Sequence, residues 1–317
     1  MMEYTAIIRT LGTAGEKYLT LLKSLECQTI KPQKIIVYIA NGYSLPKETI
    51  GKEQYVYVDK GMMAQRALRY DEVGTDYMLL LDDDLFLPND TVERMFSLMI
   101  ENNADVISPD IFPNATRPLV NELMMTLSAR MRARYIADDW GYKVMLNSGY
   151  SYAKYPTTEV LWSQTNAGAC FLCRKHDLLQ LKLEDELWLD AVPYALGDDQ
   201  VIYYKMHLNG LKILTWYTHE VVHLDGGQNY TKDKEKALIY SDFRFKVIFW
   251  YRFIYTQNKN IIMRLISILC MLYTLMFAYM ISFVKCELDI LKVKHKAVVD
   301  AIKCIKSKKF RELRSVI

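Results

Sequence analysis

A strong excess of either charge is what this 317-residue chain lacks: 40 Lys and Arg stand against 37 Asp and Glu, a net charge of +3. A near-balanced chain offers no bulk attraction to nucleic acid, so no nucleic-acid partner is expected. Glycine and proline are sparse, at 13 and 8 residues, which excludes collagen-like repeats and linker-dominated architecture. Six cysteines are too few for a disulfide scaffold. The N-terminus has no basic stretch leading into a long apolar core, because Ala6-Ile7-Ile8 stops at Arg9. No signal peptide is therefore expected, the N-terminal domain is expected in the cytosol, and the sequons at Asn89, Asn114 and Asn229 are expected to be incidental. The glycine pair in Leu11-Gly12-Thr13-Ala14-Gly15-Glu16-Lys17 does not complete a phosphate-binding P-loop. What is present is 51% hydrophobic and 24% charged residues, enough to build a sizeable core and too apolar for a disordered chain.

Composition shifts near residue 241. Residues 285–317 hold ten basic and four acidic residues, a local net of +6, which leaves −3 on the rest of the chain. The expected domains are 1–240 and a helical, membrane-associated region, 241–317. Within the first, short apolar runs alternate with helical patterns. Tyr4–Arg9, Lys34–Ala40, Tyr55–Val58 and Tyr77–Leu81 read as strands; Lys17–Leu25 and Met62–Glu72 read as helices. Continuous apolar strands separated by helices predict an α/β fold with a mostly parallel sheet covered on both faces. Such sheets bind ligands at the carboxyl ends of their strands.

Asp82-Asp83-Asp84 falls at one such end. Adjacent carboxylates repel, by about 1 kcal/mol per pair at 4 Å even in water. A divalent cation with oxygen ligands would relieve that, and residues 82 and 84 share a face of an extended chain. The bland reading is an acidic loop or the cap of a helix over Asn89–Ile100. Cys170 and Cys173 form a lone pair whose spacing on a strand puts them on opposite faces, so neither a metal nor a redox role is expected. Met124, Met125 and Met131 read as helical core or as an adaptable wall.

With these residues in view the chain resembles the family 2 glycosyltransferases of the GT-A fold. The resemblance rests on an ordered set of blocks over about residues 4–228: Ile7-Ile8-Arg9-Thr10, Ser24-Leu25 with Gln28-Thr29 and Pro32, Lys34-Ile35-Ile36-Val37, Gln65-Arg66, Asp76 to Asp84 with Pro88, Asn166 to Leu172, Gly197-Asp198-Asp199 with Leu208-Asn209-Gly210, and Val222-His223 with Gly226-Gly227. It implies inverting transfer of a sugar from a nucleotide-sugar donor to a hydroxyl, assisted by Mn²⁺ or Mg²⁺. Asp84 becomes the direct metal ligand, with His223 as a further ligand and His219 as its nearby rival. Asp82 contacts the ribose or metal-bound water and counts with both the metal and donor sets. Thr10, Asn41, Arg66 and Asp83 complete the donor side. Asp199 takes the place of the catalytic base, beside Asp198, where Glu is more usual; both are also expected to cap the helix that follows. The second strand ends Tyr38-Ile39-Ala40-Asn41-Gly42, without the usual Asp pair, and Ala67 stands where an Asn usually follows the helix Arg. Two other classes remain open. One is a sugar-phosphate nucleotidyltransferase, for which the Gly12–Gly15 loop is a poor match. The other is a non-catalytic, membrane-bound glycan-binding or scaffold protein.

The C-terminal third predicts membrane contact. Leu265–Val284 is 20 residues without a charge, long enough to span a bilayer. Phe243–Tyr255 mixes aromatics with Arg244, Lys246 and Arg252, as suits an in-plane interfacial helix. The basic tail would meet anionic headgroups. Both flanks are basic, which fits poorly with one full crossing; an in-plane or re-entrant arrangement resolves the conflict, as does packing of the stripe Ser267, Met271, Thr274, Ala278 and Ser282 against the domain or a partner. The bland alternative to membrane contact is a buried soluble helical hairpin. With the resemblance, this implies a lipid-linked or polysaccharide acceptor, bacterial surface-glycan assembly, and the cytoplasmic face of the plasma membrane.

Overall fold

The structure, a computed structural model, describes residues 2–111, 118–132, 140–153, 156, 158–224 and 231–316. In chain order the first half contains β1 (Tyr4–Thr10), α1 (Glu16–Glu26), β2 (Lys34–Ala40), β3 (Glu53–Val58), β4 (Tyr77–Asp82), β5 (Leu85–Phe86), α2 (Thr91–Asn102), β6 (Val106–Pro109) and α3 (Leu119–Leu127). There follow β7 (Tyr142–Val144), β8 (Ser151–Ala153), β9 (Val160–Ser163), β10 (Cys170–Arg174), α4 (Lys175–Gln180), a 3-10 segment Leu183–Ala191, α5 (Asp198–Leu208), β11 (Ile213–Trp216) and β12 (Val222–His223). The chain ends in helices: α6 (Lys232–Phe249) running into a π-helical stretch Trp250–Tyr255, then α7 (Ile261–Val284), α8 (Leu288–Lys306) and α9 (Lys308–Arg311). The protein is thus α/β, with a large, mostly parallel mixed sheet flanked by helices and a C-terminal helical region.

The sheet order is β3-β2-β1-β4-β10-β6-β11-β9. β1 pairs in parallel with β2 and β4, and β2 with β3, whereas β10 runs antiparallel to both β4 and β6. Continuous apolar strands bury both faces, as their composition predicts. Ile7, Ile36, Met78 and Leu80 enter the core on one side; Ala6, Ile8, Val37, Leu79 and Leu81 enter the other. Cys170 and Cys173 obey the same alternation, one in each core. Burial pushes both thiols up, so both are inert packing groups.

Two expected elements differ. Met62–Glu72 is not a helix: hydrogen bonds from Gln65 N to Gly61 O and Ala67 N to Met63 O make a short coil of turns. Its first amides, Met63 N and Ala64 N, donate to the Asp190 carboxylate. The segment then leaves helical geometry so that Gln65 and Arg66 reach the strand ends, and Tyr70 adopts φ 55°. Phe243–Tyr255 is not an interfacial helix. Phe243, Phe245, Phe249, Trp250 and Phe253 are buried, and Phe245, Phe249, Trp250 and Phe253 join the sheet's own core. Its cations are paired: Arg252 with Glu186, Lys246 with Asp242, and Arg244 donates to Trp188 O. The compositional border at residue 241 accordingly falls inside α6.

The α7 stripe behaves as expected. Ser267, Met271, Thr274, Ala278 and Ser282 are all buried, and the opposite face is exposed.

Candidate functional site

The carboxyl ends of β1 and β4 lie side by side because Arg9 is in register with Asp82. Arg9 Nε meets Asp82 Oδ1 at 2.5 Å and its Nη2 meets Oδ2 at 3.1 Å, a two-pronged pair. Arg9 Nη1 also donates to Asp198 Oδ2 at 3.2 Å. Arg66, 3% exposed, sits behind it. Its Nη1 lies 2.8 Å from Asp199 Oδ1 and 3.2 Å from Asp198 Oδ2, and its Nη2 donates to Gly168 O at 2.8 Å. Two guanidiniums therefore stitch Asp82, at the end of β4, to the first turn of α5. A Cβ at Gly168 would collide with the Asp199 carboxylate and the Arg66 guanidinium, so any side chain there must displace that pair. Gly197, at φ 91°, precedes α5, and a Cβ on it would strike the Phe245 ring; the C-terminal helices thus press on the residue that sets Asp198 and Asp199.

Past β4 the chain turns. The Thr10 hydroxyl donates to Asp83 Oδ2 and accepts from Gly12 N at 2.7 Å. β5 pairs with β12, which puts His223 opposite Leu85. His223 Nε2 then lies 3.4 Å from Asp84 Oδ1. An open cavity of about 430 Å³ adjoins these groups, lined among others by Arg9, Thr10, Lys17, Asp82, Asp83, Asp84 and His223.

The electrostatics are uneven. Burial pushes the Asp82 carboxyl up, but the Arg9 guanidinium, with Arg66 behind it, outweighs this and holds it low. Burial pushes Asp83 up to about 6, against the Thr10 bond and with help from Asp84 and Asp82. Burial also raises Asp84, opposed by His223. Asp199 is raised by burial and by Asp198, against the pull of Arg66 and Arg9. Three of the five carboxylates thus prefer a proton more than an exposed Asp would.

Of the expected site residues, Thr10, Asp82, Asp83, Asp84 and His223 line one cavity. Asp198, Asp199 and Arg66 adjoin it through Arg9 and Asp82. Arg66 faces carboxylates and a backbone carbonyl on its inner side. Asn41 lies apart and exposed at the end of β2, where its Nδ2 is 3.3 Å from Asp59 Oδ1. His219 is exposed and is not among the cavity-lining residues. The N-cap of α5 is Gly197, and Asp198 and Asp199 lie inside its first turn. Neither Asp83 nor Asp84 caps α2, whose N-cap is Asp90. Gly226, Gly227 and the sequons at Asn114 and Asn229 lie outside the described residues.

No three His, Cys, Asp or Glu groups among the described residues converge as a ready metal cage. Asp82 is turned towards Arg9, so the expected trio Asp82, Asp84 and His223 is reduced to the pair Asp84 and His223. That pair offers one oxygen and one nitrogen donor, types that would suit a Mn²⁺-like ion. Sequence reasoning missed two residues. Arg9 was legible as a strand-end cation, but only register shows that it faces Asp82. Asp59 restores a carboxylate beside Asn41 from the neighbouring strand, through a contact no spacing in the sequence reveals.

Compared with protein-family models and with curated protein sequences, the chain matches none.

Proposed function

We propose that the protein is a GT-A-type glycosyltransferase that moves a sugar from a nucleotide diphosphate to an acceptor hydroxyl with inversion. One observation carries the reading: Asp82–Asp84 at the end of β4 and Asp199 at the start of α5 are joined through Arg9 and Arg66 beside one open cavity. The donor's diphosphate would lie at the Asp82–Asp84 side, with Thr10, Arg9 and Lys17 around it. Asn41 and Asp59 offer hydrogen-bonding groups at the far strand ends for the nucleoside. Asp84 and His223 would hold the divalent cation, which when bound offsets charge developing on the leaving diphosphate.

Asp199 acts as the base. In the reaction the bond between the anomeric carbon and the β-phosphate oxygen breaks, and the acceptor oxygen bonds to that carbon from the opposite face. Its proton passes to Asp199, whose raised pKa brings it nearer the range useful for a base at neutral pH. Arg66 orients that carboxylate through the 2.8 Å bond to Oδ1. The acceptor is proposed to be lipid-linked or a growing polysaccharide, met at the cytoplasmic face of a bacterial plasma membrane.

Product analysis tests the chemistry. Incubation with nucleotide sugars and Mn²⁺ is expected to release nucleoside diphosphate, and Asp199→Asn is expected to abolish most of it. Release of pyrophosphate from a nucleoside triphosphate and a sugar phosphate would instead mean nucleotidyl transfer.

A further inference from the structure

The C-terminal helix α7 has a face that none of the described residues covers. No charge occurs from Leu265 to Val284, and only 22% of its most apolar window is buried. Leu269, Leu272, Met276 and Phe283 recur on one side and are exposed, Leu269 and Phe283 at 67%. The other side is fastened to the body of the protein along its length. Trp250 Nε1 donates to Ser267 Oγ at 2.7 Å, Thr274 Oγ1 to Ser128 O at 3.1 Å, and Lys294 Nζ to Ser282 Oγ at 2.8 Å. From residue 267 to 282 that is roughly 22 Å of helix held against the body of the protein by these bonds and by the packing of Met271 and Ala278.

A second helix, distant in sequence, joins the same surface. The Tyr273 hydroxyl donates to Leu127 O at 2.6 Å, which sets the end of α3 against the middle of α7. α3 exposes Leu119 at 72% and also Leu123. Soluble monomers rarely leave large contiguous apolar patches in water. The surroundings carry more basic than acidic groups: Lys259 and Lys285 are exposed at the two ends of α7 and Lys292 and Lys296 on α8, against exposed Glu287 and Asp289.

We propose that the exposed faces of α3 and α7 form one membrane-docking surface, seated in the interfacial layer of an anionic bilayer with α7 lying in the membrane plane. A crossing α7 would draw into hydrocarbon the Lys294–Ser282 contact and the polar segments at Ser128 and at Asn147, whose backbone oxygen accepts from Ser267 Oγ at 3.0 Å; charged and unsatisfied groups are costly there. In the plane, only the apolar face enters the acyl boundary and the lysines remain with the headgroups. A second copy of the chain fits less well, since self-association would bring like-charged rims together. The inference rests on these faces alone and is independent of the chemistry proposed above.

Flotation of the full chain with preformed vesicles tests it. The chain is expected to float with phosphatidylcholine vesicles containing 30% phosphatidylglycerol and to partition at least tenfold less onto phosphatidylcholine alone. Leu269→Glu on α7 and Leu123→Glu on α3, both at exposed positions, are each expected to lower partitioning about tenfold while circular dichroism stays native. Failure to float on either vesicle, or a dimer in light scattering that Leu269→Glu converts to monomer, would overturn the proposal. Orientation is read from two exposed native thiols, Cys27 and Cys286. In inverted membrane vesicles carrying the chain, a membrane-impermeant maleimide is expected to label both. Labelling of Cys27 with Cys286 protected until detergent is added would mean that α7 crosses, and would overturn the in-plane arrangement.

Discussion

Glu186 and the Asp82–Asp84 segment are both carboxylates drawn out of water, and the protein treats them in opposite ways. Glu186 is fully buried, yet it accepts hydrogen bonds from Lys205, from two nitrogens of Arg252 and from Trp188 Nε1. Burial pushes its carboxyl up, but these donors outweigh burial and hold it low. At the strand ends, Arg9 and Arg66 pair with Asp82, Asp198 and Asp199, while Asp83 meets the Thr10 hydroxyl and Asp84 meets His223; Asp82 is held low, and Asp83, Asp84 and Asp199 are raised. The first cluster is complete. It ties the C-terminal helices (Arg252) to the 3-10 segment (Glu186) and α5 (Lys205). The second carries surplus negative charge beside an open cavity, the condition in which a site gains most from a cationic partner. A saturated ion cluster builds the fold; an undersaturated one is available for chemistry.

The comparison can be broken from either side. Glu186→Ala leaves two buried cations unpaired and is expected to cost about 3–5 kcal/mol, read as a lower urea midpoint at unchanged slope. The sign with pH follows from its low folded pKa. The contribution is present above the carboxylate's ordinary 4.5 and is lost as pH falls through the lower folded value, so the gap between the two proteins should close in acid. Asp199→Asn should leave stability nearly unchanged and lower turnover by roughly a hundredfold or more, the scale of a lost general base. Arg9→Gln removes the countercharge of Asp82 and is expected to weaken nucleotide binding about tenfold, or about 1.4 kcal/mol, in a titration.

Asp83→Asn sharpens the contrast, because it should stabilise. The raised folded pKa of about 6 means that the native state binds this proton more tightly than the unfolded chain does. Wild-type stability therefore falls as pH rises from about 4 to 6. The variant, which retains an acceptor for Thr10, is expected to be more stable by up to about 1 kcal/mol at pH 7.5 and to lose that advantage at pH 4. Thermal melts at the two pH values check it. The smallest effect is expected from Asn41→Ala, less than about fivefold in nucleotide affinity, with reduced discrimination among bases.

Much of this was legible in the sequence where local pattern and tertiary environment agree. β1, β2 and β4 announce themselves because strands buried on both faces must be apolar throughout, and Asp82 then stands out as the first charge after the run. The buried stripe of α7 was legible from its small and polar residues at helical spacing. Met62–Glu72 was misleading because its apolar spacing is helical, yet Asp190, 127 residues away from Met63, captures its amides. Phe243–Tyr255 was misleading because aromatic and basic residues look interfacial until Glu186 and Asp242 supply the countercharges. The pairing of Arg9 with Asp82, and of Asn41 with Asp59, depends on strand register, which single-chain periodicity does not encode.

The most direct test of the undersaturated site is calorimetric titration of the full-length protein with UDP, GDP, CDP and TDP, with and without Mn²⁺, beside Asp84→Ala. The expected result is Mn²⁺-dependent binding of one nucleotide, lost in the variant. A folded protein that binds none of the four, with lipid supplied, would contradict the account.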